Sequence, residues 1–309
     1  MIITSAAPWI SYAHGTYVNG FNLLCAPAPG KMDFRITPNG IDAAMELARK
    51  SRKTVRALIV TSPDNPTGTY YTPQELITLI RHAYAAGIRY ILIDAIYQMV
   101  IDEKVKPYDW HEILFENLTK EERQTVTILD GITKSVGASN IRNAHLWAGD
   151  KAFADVLKAI ASHTVLPNPM GEAVAYELYR QEYPSEHPWV KRITGPTSES
   201  RRIFRELMTA HGHNFVADQG YYAFVDIEPW LQKKVPSGME FKDNDTEKLV
   251  SVLKTAEHVG SYLSTQHGLA VVPGTPFRQP TFIRFSLAQN PKLIPHAVRR
   301  FHHAFTLLS

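Results

Sequence analysis

Three short apolar runs in this chain lead into residues equipped for chemistry. Arg56-Ala57-Leu58-Ile59-Val60-Thr61 runs into Asn65 inside a proline-bracketed turn. Tyr90-Ile91-Leu92-Ile93 runs into Asp94, with Tyr97 three residues on, and Val126-Thr127-Ile128-Leu129 leads to Lys134. In open α/β sheets, ligands sit beyond the carboxyl ends of the strands. Taken singly, each residue has an ordinary structural explanation. Asn-Pro-x-Gly is a common turn, an Asp after a strand often caps a helix, and a loop lysine is usually solvated. An amide, a carboxylate, a phenol and an amine at one sheet edge are harder to dismiss together.

That set matches what pyridoxal phosphate asks of a protein. A lysine amine condenses with its aldehyde, and a carboxylate keeps the pyridine nitrogen protonated so that the ring can accept electrons. An amide and a tyrosine can donate to the ring's phenolate oxygen, and an aromatic side chain can stack on the ring face.

The elements that must position these groups alternate in type. Met1 to Thr4 is apolar and β-branched. Strands are expected over Arg56–Thr61, Arg89–Ile93 and Thr125–Leu129, and helices over Gly40–Ser51, Thr72–Ala86 and Asp150–His163, the second opening with a capping-box pattern at Thr72 and Glu75. Such alternation predicts an α/β fold: a three-layer, mainly parallel sheet with helices on both faces. Near residue 195 the pattern changes. Helices over Pro196–His211, Lys248–His267 and Leu293–Leu308 mix with strands over Gly220–Ile227, Leu269–Val272 and Thr281–Leu287. The division expected is a large cofactor-binding domain over 1–194 and a smaller α+β C-terminal domain over 195–309. The Pro- and Lys-rich stretch from Pro229 to Asp245 reads as a surface insertion.

On these residues the chain resembles the class I/II aminotransferases, fold-type I pyridoxal-phosphate enzymes, in matching order over nearly its whole length. Ala7-Pro8-Trp9-Ile10-Ser11-Tyr12 resembles the segment bearing the ring-stacking aromatic. Asn65-Pro66-Thr67-Gly68 resembles the family's NPTG turn, and Asp94-Ala95-Ile96-Tyr97 its Asp-x-x-Tyr. Thr133-Lys134 followed eight residues later by Arg142 resembles its Ser-Lys…Arg motif. Val272-Pro273-Gly274-Thr275-Pro276-Phe277 and Phe282-Ile283-Arg284-Phe285-Ser286 resemble its C-terminal signature. The resemblance implies a cofactor set of Trp9, Asn65, Asp94, Tyr97, Thr133, Lys134 and Arg142, with Lys134, Asp94 and Tyr97 catalytic. Asn65 and Arg284 would hold the substrate, Arg284 by clamping its α-carboxylate. It implies amino-group transfer between an α-amino acid and a 2-oxo acid, in a homodimer. The rival expectations are another pyridoxal-phosphate reaction (β-elimination, cyclisation or oxidation) and an inactive truncated homologue.

Departures shape further expectations. Gly131 stands three before the lysine, where many relatives carry a phosphate-binding serine, and Arg278 follows Phe277 where glycine is usual. Residue 1 already lies beyond the glycine-rich turn with which relatives cradle the phosphate. The chain is therefore expected to be a fragment lacking the family's N-terminal segment, or to build its phosphate site differently, and to expose apolar surface along Met1–Thr4. Tyr12 is expected either to bond Asp94 or simply to pack; Gly220-Tyr221-Tyr222 resembles a family strand near the substrate side chain, although paired tyrosines are more often core and edge residues.

Composition narrows the classes further. Of 309 residues, 44% are hydrophobic and 20% charged, an ordinary globular mixture. The net charge of +3 is spread without a basic block, so neither nucleic acid nor a membrane surface is an expected partner. One cysteine, Cys25, excludes an internal disulfide and a thiolate zinc site, and the 13 histidines show no metal-ligand spacing. No run reaches the ~18 apolar residues of a membrane helix. A cytoplasmic compartment is expected.

Overall fold

The computed structural model describes residues 1–164, 168–243 and 246–309. Strands β1 (Ile2–Thr4), β2 (Leu23–Cys25), β3 (Ala57–Thr61), β4 (Tyr90–Asp94), β5 (Val126–Gly131) and β6 (Ala144–Ala148) form one sheet in the order β2-β1-β3-β4-β5-β6. All pairings are parallel except that of β6 with β5. The register sets Thr61 opposite Asp94 and Asp94 opposite Leu129, so the carboxyl ends of β3, β4 and β5 lie abreast.

Helices α1 (Ile10–Val18), α2 (Pro38–Lys50), α3 (Pro73–Ala85), α4 (Lys120–Gln124), α5 (Ile132–Ser135), α6 (Lys151–Thr164) and α7 (Pro169–Tyr179) connect or flank the strands. Thr37 caps α2 through the Gly40 amide, and Thr72 and Glu75 close a reciprocal capping box on α3. Ile41 and Ala44 of α2 and Leu76 and Ile80 of α3 pack on Leu58, Val60, Ile91, Ile93 and Ile128, which form the core of this unit. Mainly parallel strands sandwiched by amphipathic helices are the expected α/β architecture.

A long α8 (Pro188–Ala210) leads to the second unit. There β7 (Phe215–Val216), β8 (Tyr222–Asp226), β11 (Val272–Pro273) and β12 (Phe282–Ser286) pair antiparallel in the order β11-β12-β8-β7, and β9 (Phe241–Lys242) pairs with β10 (Leu249–Val250). With α9 (Ala256–His267) and α10 (Ile294–Thr306) they enclose Phe204, Val225, Trp230, Tyr262, Ile283 and Phe301.

Several expectations change. The helix expected from Pro196 begins eight residues earlier, with Pro188 in its first turn and Pro196 inside it. Proline fits a first turn without loss, which made Pro196 look like a start. The expected division after residue 194 therefore falls within α8. Val190 packs with Met99, Ile132 and Leu178, while Phe204 and Met208 pack in the second unit. The helix expected from Lys248 starts at Ala256, capped by Thr255, and Leu249–Val250 is strand. The stretch read as a surface insertion contributes Trp230, Val235 and Phe241 to the core; its last two positions, 244 and 245, lie outside the described residues. Ile3, expected on an exposed edge, is fully buried, because β1 lies between β2 and β3.

Candidate active site

The aligned ends of β3, β4 and β5 deliver the sequence-derived residues to one place. Asp94, the last residue of β4, is 8% exposed. The Tyr12 hydroxyl donates to its Oδ2 at 2.5 Å and pairs with Thr61 Oγ1 at 2.9 Å, and the Ile96 amide donates to Oδ1 at 3.2 Å. Burial raises the Asp94 carboxyl above its ordinary range, and the Tyr12 and Ile96 hydrogen bonds pull against that rise. The Tyr12 question thus resolves as a hydrogen bond.

Asn65 is buried in the turn after β3. That turn is closed by Asp64, whose Oδ2 accepts from the Thr67 hydroxyl at 2.5 Å and from the Thr67 amide at 3.3 Å. Complete burial pushes the Asp64 carboxyl up to about 7 despite these bonds. Gly68 takes φ +73°, and its carbonyl accepts from the amides of Asp218 and Gln219. A Cβ at Gly68 would lie 2.3 Å from the Tyr222 carbonyl oxygen, so only glycine lets the turn sit this close to the second unit.

Across that seam, β12 presents Arg284. Its Nη1 donates to Asn65 Oδ1 at 2.7 Å, and its guanidinium lies over the rings of Tyr222 at 4.3 Å and Phe277 at 5.1 Å. Burial lowers its pKa, although it stays cationic. Phe277 in turn stacks on Trp9, with ring centroids 6.5 Å apart.

Lys134 sits half-buried in α5, just after β5, with Nζ 5.5 Å from the centroid of the Tyr97 ring. The Tyr97 hydroxyl donates to the Tyr222 hydroxyl at 3.3 Å, and the Tyr221 hydroxyl donates to the Lys134 carbonyl at 2.5 Å. Burial, followed by its Tyr222 neighbour, raises the Tyr97 phenol well above its usual range. Tyr221 and Tyr222 line this site, in keeping with the family strand they resemble rather than with plain core and edge roles. A second buried acid, Asp130, accepts from Gln98 and Tyr179 and is pushed by burial to about 6. Asp130 directly follows Leu129, the same local signal that marks Asp94, and was passed over for Lys134, whereas Asp64 was visible only as the neighbour of Asn65.

At its ring end, this donor set fits pyridoxal phosphate: a buried carboxylate oriented by a phenol, a lysine amine over the Tyr97 ring, an amide and an indole. The phosphate end is less drawn together. Thr133 is half-buried beside Lys134, while Arg142 is exposed at φ +56° and donates from Nη1 to the Ser139 carbonyl. Gly131 carries no hydroxyl, and a Cβ there would stand 2.7 Å from the Asn143 carbonyl oxygen. Arg278 is exposed and bonds the half-buried Cys25 thiol at 3.4 Å. No helix in the structure is long and apolar enough to cross a membrane, among the described residues.

Comparison with known proteins gives a consistent picture. The family model described as aminotransferase class I and II matches residues 1–301. An aspartate aminotransferase from Bacillus sp. (strain YM-2) is 25% identical over 294 residues, which cover 94% of this chain and 67% of that protein. A human protein described as a probable inactive 1-aminocyclopropane-1-carboxylate synthase-like protein 2 is 30% identical over 207 residues, covering 64% of this chain and 34% of that protein. Among solved structures, the aspartate aminotransferase from Rhizobium meliloti superposes with TM-score 0.79 at 20% identity, covering all of this chain and 71% of that one.

Proposed function

The chain belongs to the class I and II aminotransferases, whose members depend on pyridoxal phosphate, and from that premise we propose that it moves an amino group between an α-amino acid and a 2-oxo acid. The observation that carries this reading is the convergence, at the ends of three adjacent strands, of Asp94 held by Tyr12, Lys134 beside Tyr97, and Arg284 on Asn65. When bound, pyridoxal phosphate supplies an aldehyde that takes up amino groups and a ring that accepts electrons.

The protein's part is placement and proton transfer. With the cofactor bound, Lys134 Nζ would hold it at its aldehyde carbon. As a free amine, Lys134 would take the proton from the substrate Cα and give it up again, as base and then acid. Asp94 would set a negative charge against the pyridine nitrogen and keep it protonated. A cationic partner there offsets the burial that raises the Asp94 carboxyl. Asn65 and Tyr97 would donate to the phenolate oxygen, Trp9 would cover the ring face, and Thr133 and Arg142 would hold the phosphate. Arg284 clamps the substrate α-carboxylate as a two-toothed donor. The reading includes a cytoplasmic homodimer, to which the exposed Tyr17 (80%) and Val18 (77%) would give an apolar contact face.

The exposed Arg142 and the absent hydroxyl at Gly131 favour, as the second reading, a homologue that holds the phosphate too weakly to turn over. The likeness to a probable inactive relative points the same way. One experiment separates these. The chain is titrated with pyridoxal phosphate, reduced with borohydride and mapped by peptide mass, then assayed for amino transfer and for ammonia release. Covalent fixation at Lys134, its loss in Lys134→Ala, and transfer to a 2-oxo acid support the proposal. Fixation at another lysine overturns the site, ammonia release overturns the reaction, and fixation without turnover selects the second reading.

A further inference from the structure

The group most deeply buried for its charge lies outside the residues discussed so far. Arg201, on α8, is 0% exposed. Its Nη1 donates to the Gly220 carbonyl at 2.5 Å. Its Nη2 donates to Asp102 Oδ1 at 2.5 Å, to Gln219 Oε1 at 3.2 Å and to Ser198 Oγ at 3.3 Å. Its Nε has no partner. A buried cation with an unused donor is a poor device for stability alone, since an apolar side chain of similar volume often serves as well or better. What Arg201 does hold is a junction of three segments.

The first segment is the loop that follows Tyr97. Asp102 takes the guanidinium and gives its own amide to Gln219 Oε1 at 2.7 Å, and the Val100 carbonyl accepts from the Gly220 amide at 2.8 Å. The second is the 218–220 turn, which Arg201 grips at both Gln219 and Gly220, and which is bonded through Asp218 and Gln219 to the Gly68 carbonyl of the Asn65 turn. The third is α8 itself, whose Ser198 hydroxyl reaches the Ile101 carbonyl at 3.3 Å. Immediately after the gripped turn come Tyr221, on the Lys134 carbonyl, and Tyr222, under the Arg284 guanidinium.

The geometry points to Arg201 as a positioning residue that fixes Tyr221 and Tyr222, and through Tyr222 the aim of Arg284, against the loop that carries Tyr97. The assignment of a carboxylate to Arg284 rests on the function proposed above; the latch itself does not. A planar guanidinium can reach the Gly220 carbonyl and Asp102 at once, whereas a lysine ammonium is a single point. Asp102 is 32% exposed and lines a cleft of about 740 Å³ between its own loop and α8, so it regains water when the arginine is removed. The substitution therefore strands no fully buried charge.

Amide hydrogen exchange on the chain without cofactor tests the latch in wild type, Arg201→Met and Arg201→Lys. In Arg201→Met, exchange over 217–222 and 98–102 should accelerate at least tenfold while α3 keeps wild-type protection. Arg201→Lys should be intermediate. With cofactor bound, borohydride fixation at Lys134 should persist, and the KM for the amino acid should rise about tenfold with kcat within threefold. Unchanged exchange over 217–222, or equal acceleration in α3, overturns the latch. If wild type fails to fix the cofactor at Lys134, the functional reading falls, while the exchange result still decides the role of Arg201. If Arg201→Met does not fold, the exchange of Arg201→Lys decides alone.

Discussion

Removing one hydroxyl beneath the candidate ring site should make stability depend on pH in a calculable way. Tyr12→Phe deletes the donor to Asp94 Oδ2, leaving the Ile96 amide on the other oxygen. A hydrogen bond to a charged group is worth about 1.5–3 kcal/mol, more than one to the neutral acid, so the Asp94 carboxyl should rise further still. In the folded chain that carboxyl already lies above its unfolded value, because burial outweighs its hydrogen bonds. Between the two values the folded state binds more protons than the unfolded one, and stability falls as pH rises. Below the unfolded value the acid is neutral in both proteins, and only a neutral hydrogen bond of about 1 kcal/mol separates them. Above the raised folded value the full charged bond is missing.

For 309 residues, an unfolding entropy of about 2.1 cal/mol/K per residue converts 1.5–3 kcal/mol into a Tm loss of roughly 2–5 °C, against about 1.5 °C for the neutral bond. Thermal unfolding of both proteins without cofactor, at fixed ionic strength from about pH 4 to 8.5, should show the gap widening with pH. A gap that stays constant, or narrows as pH rises, would refute the claim that Tyr12 stabilises the ionised form of Asp94.

Asp64 should behave alike but with its own window. Its carboxyl titrates near 7 in the folded chain, so the cofactor-free protein should lose stability from about pH 4 up through 7. Asp64→Asn, which still offers Thr67 an acceptor, should flatten that slope in calorimetric melts. Arg284→Ala should raise the KM for an amino acid by roughly 30- to 150-fold, the loss of about 2–3 kcal/mol from a paired charge-assisted contact. It should leave borohydride fixation at Lys134 intact, which peptide mass mapping checks.

What was legible in the sequence was local. Apolar runs that end in Asn65, Asp94 and Lys134 became β3, β4 and β5, and the Thr72–Glu75 pattern became a cap, because each depends on neighbours a few residues away. Strand β6 was missed because three of its five residues are exposed, so it carries neither an apolar run nor an alternation. Strand β2 offers only Leu23–Cys25, all half-buried. The partners of Tyr222, and Arg201 altogether, were illegible for a different reason. Tyr222 meets Tyr97 from 125 positions away, and Arg201 meets Asp102 from 99. Contacts across a domain seam leave no period in the chain.

The crowding at Gly131 bears on how this lineage can change. The glycine faces Ala144 across the β5–β6 ladder, with the Asn143 carbonyl and Ala144 Cα too near for any side chain. A serine there, giving a hydroxyl three residues before Lys134, does not fit by substitution alone. The strand partner must first draw back, and that partner is the end of the same loop that carries Arg142. Position 131 and residues 143–144 are therefore sterically tied: a side chain at 131 requires the backbone across the ladder to move with it.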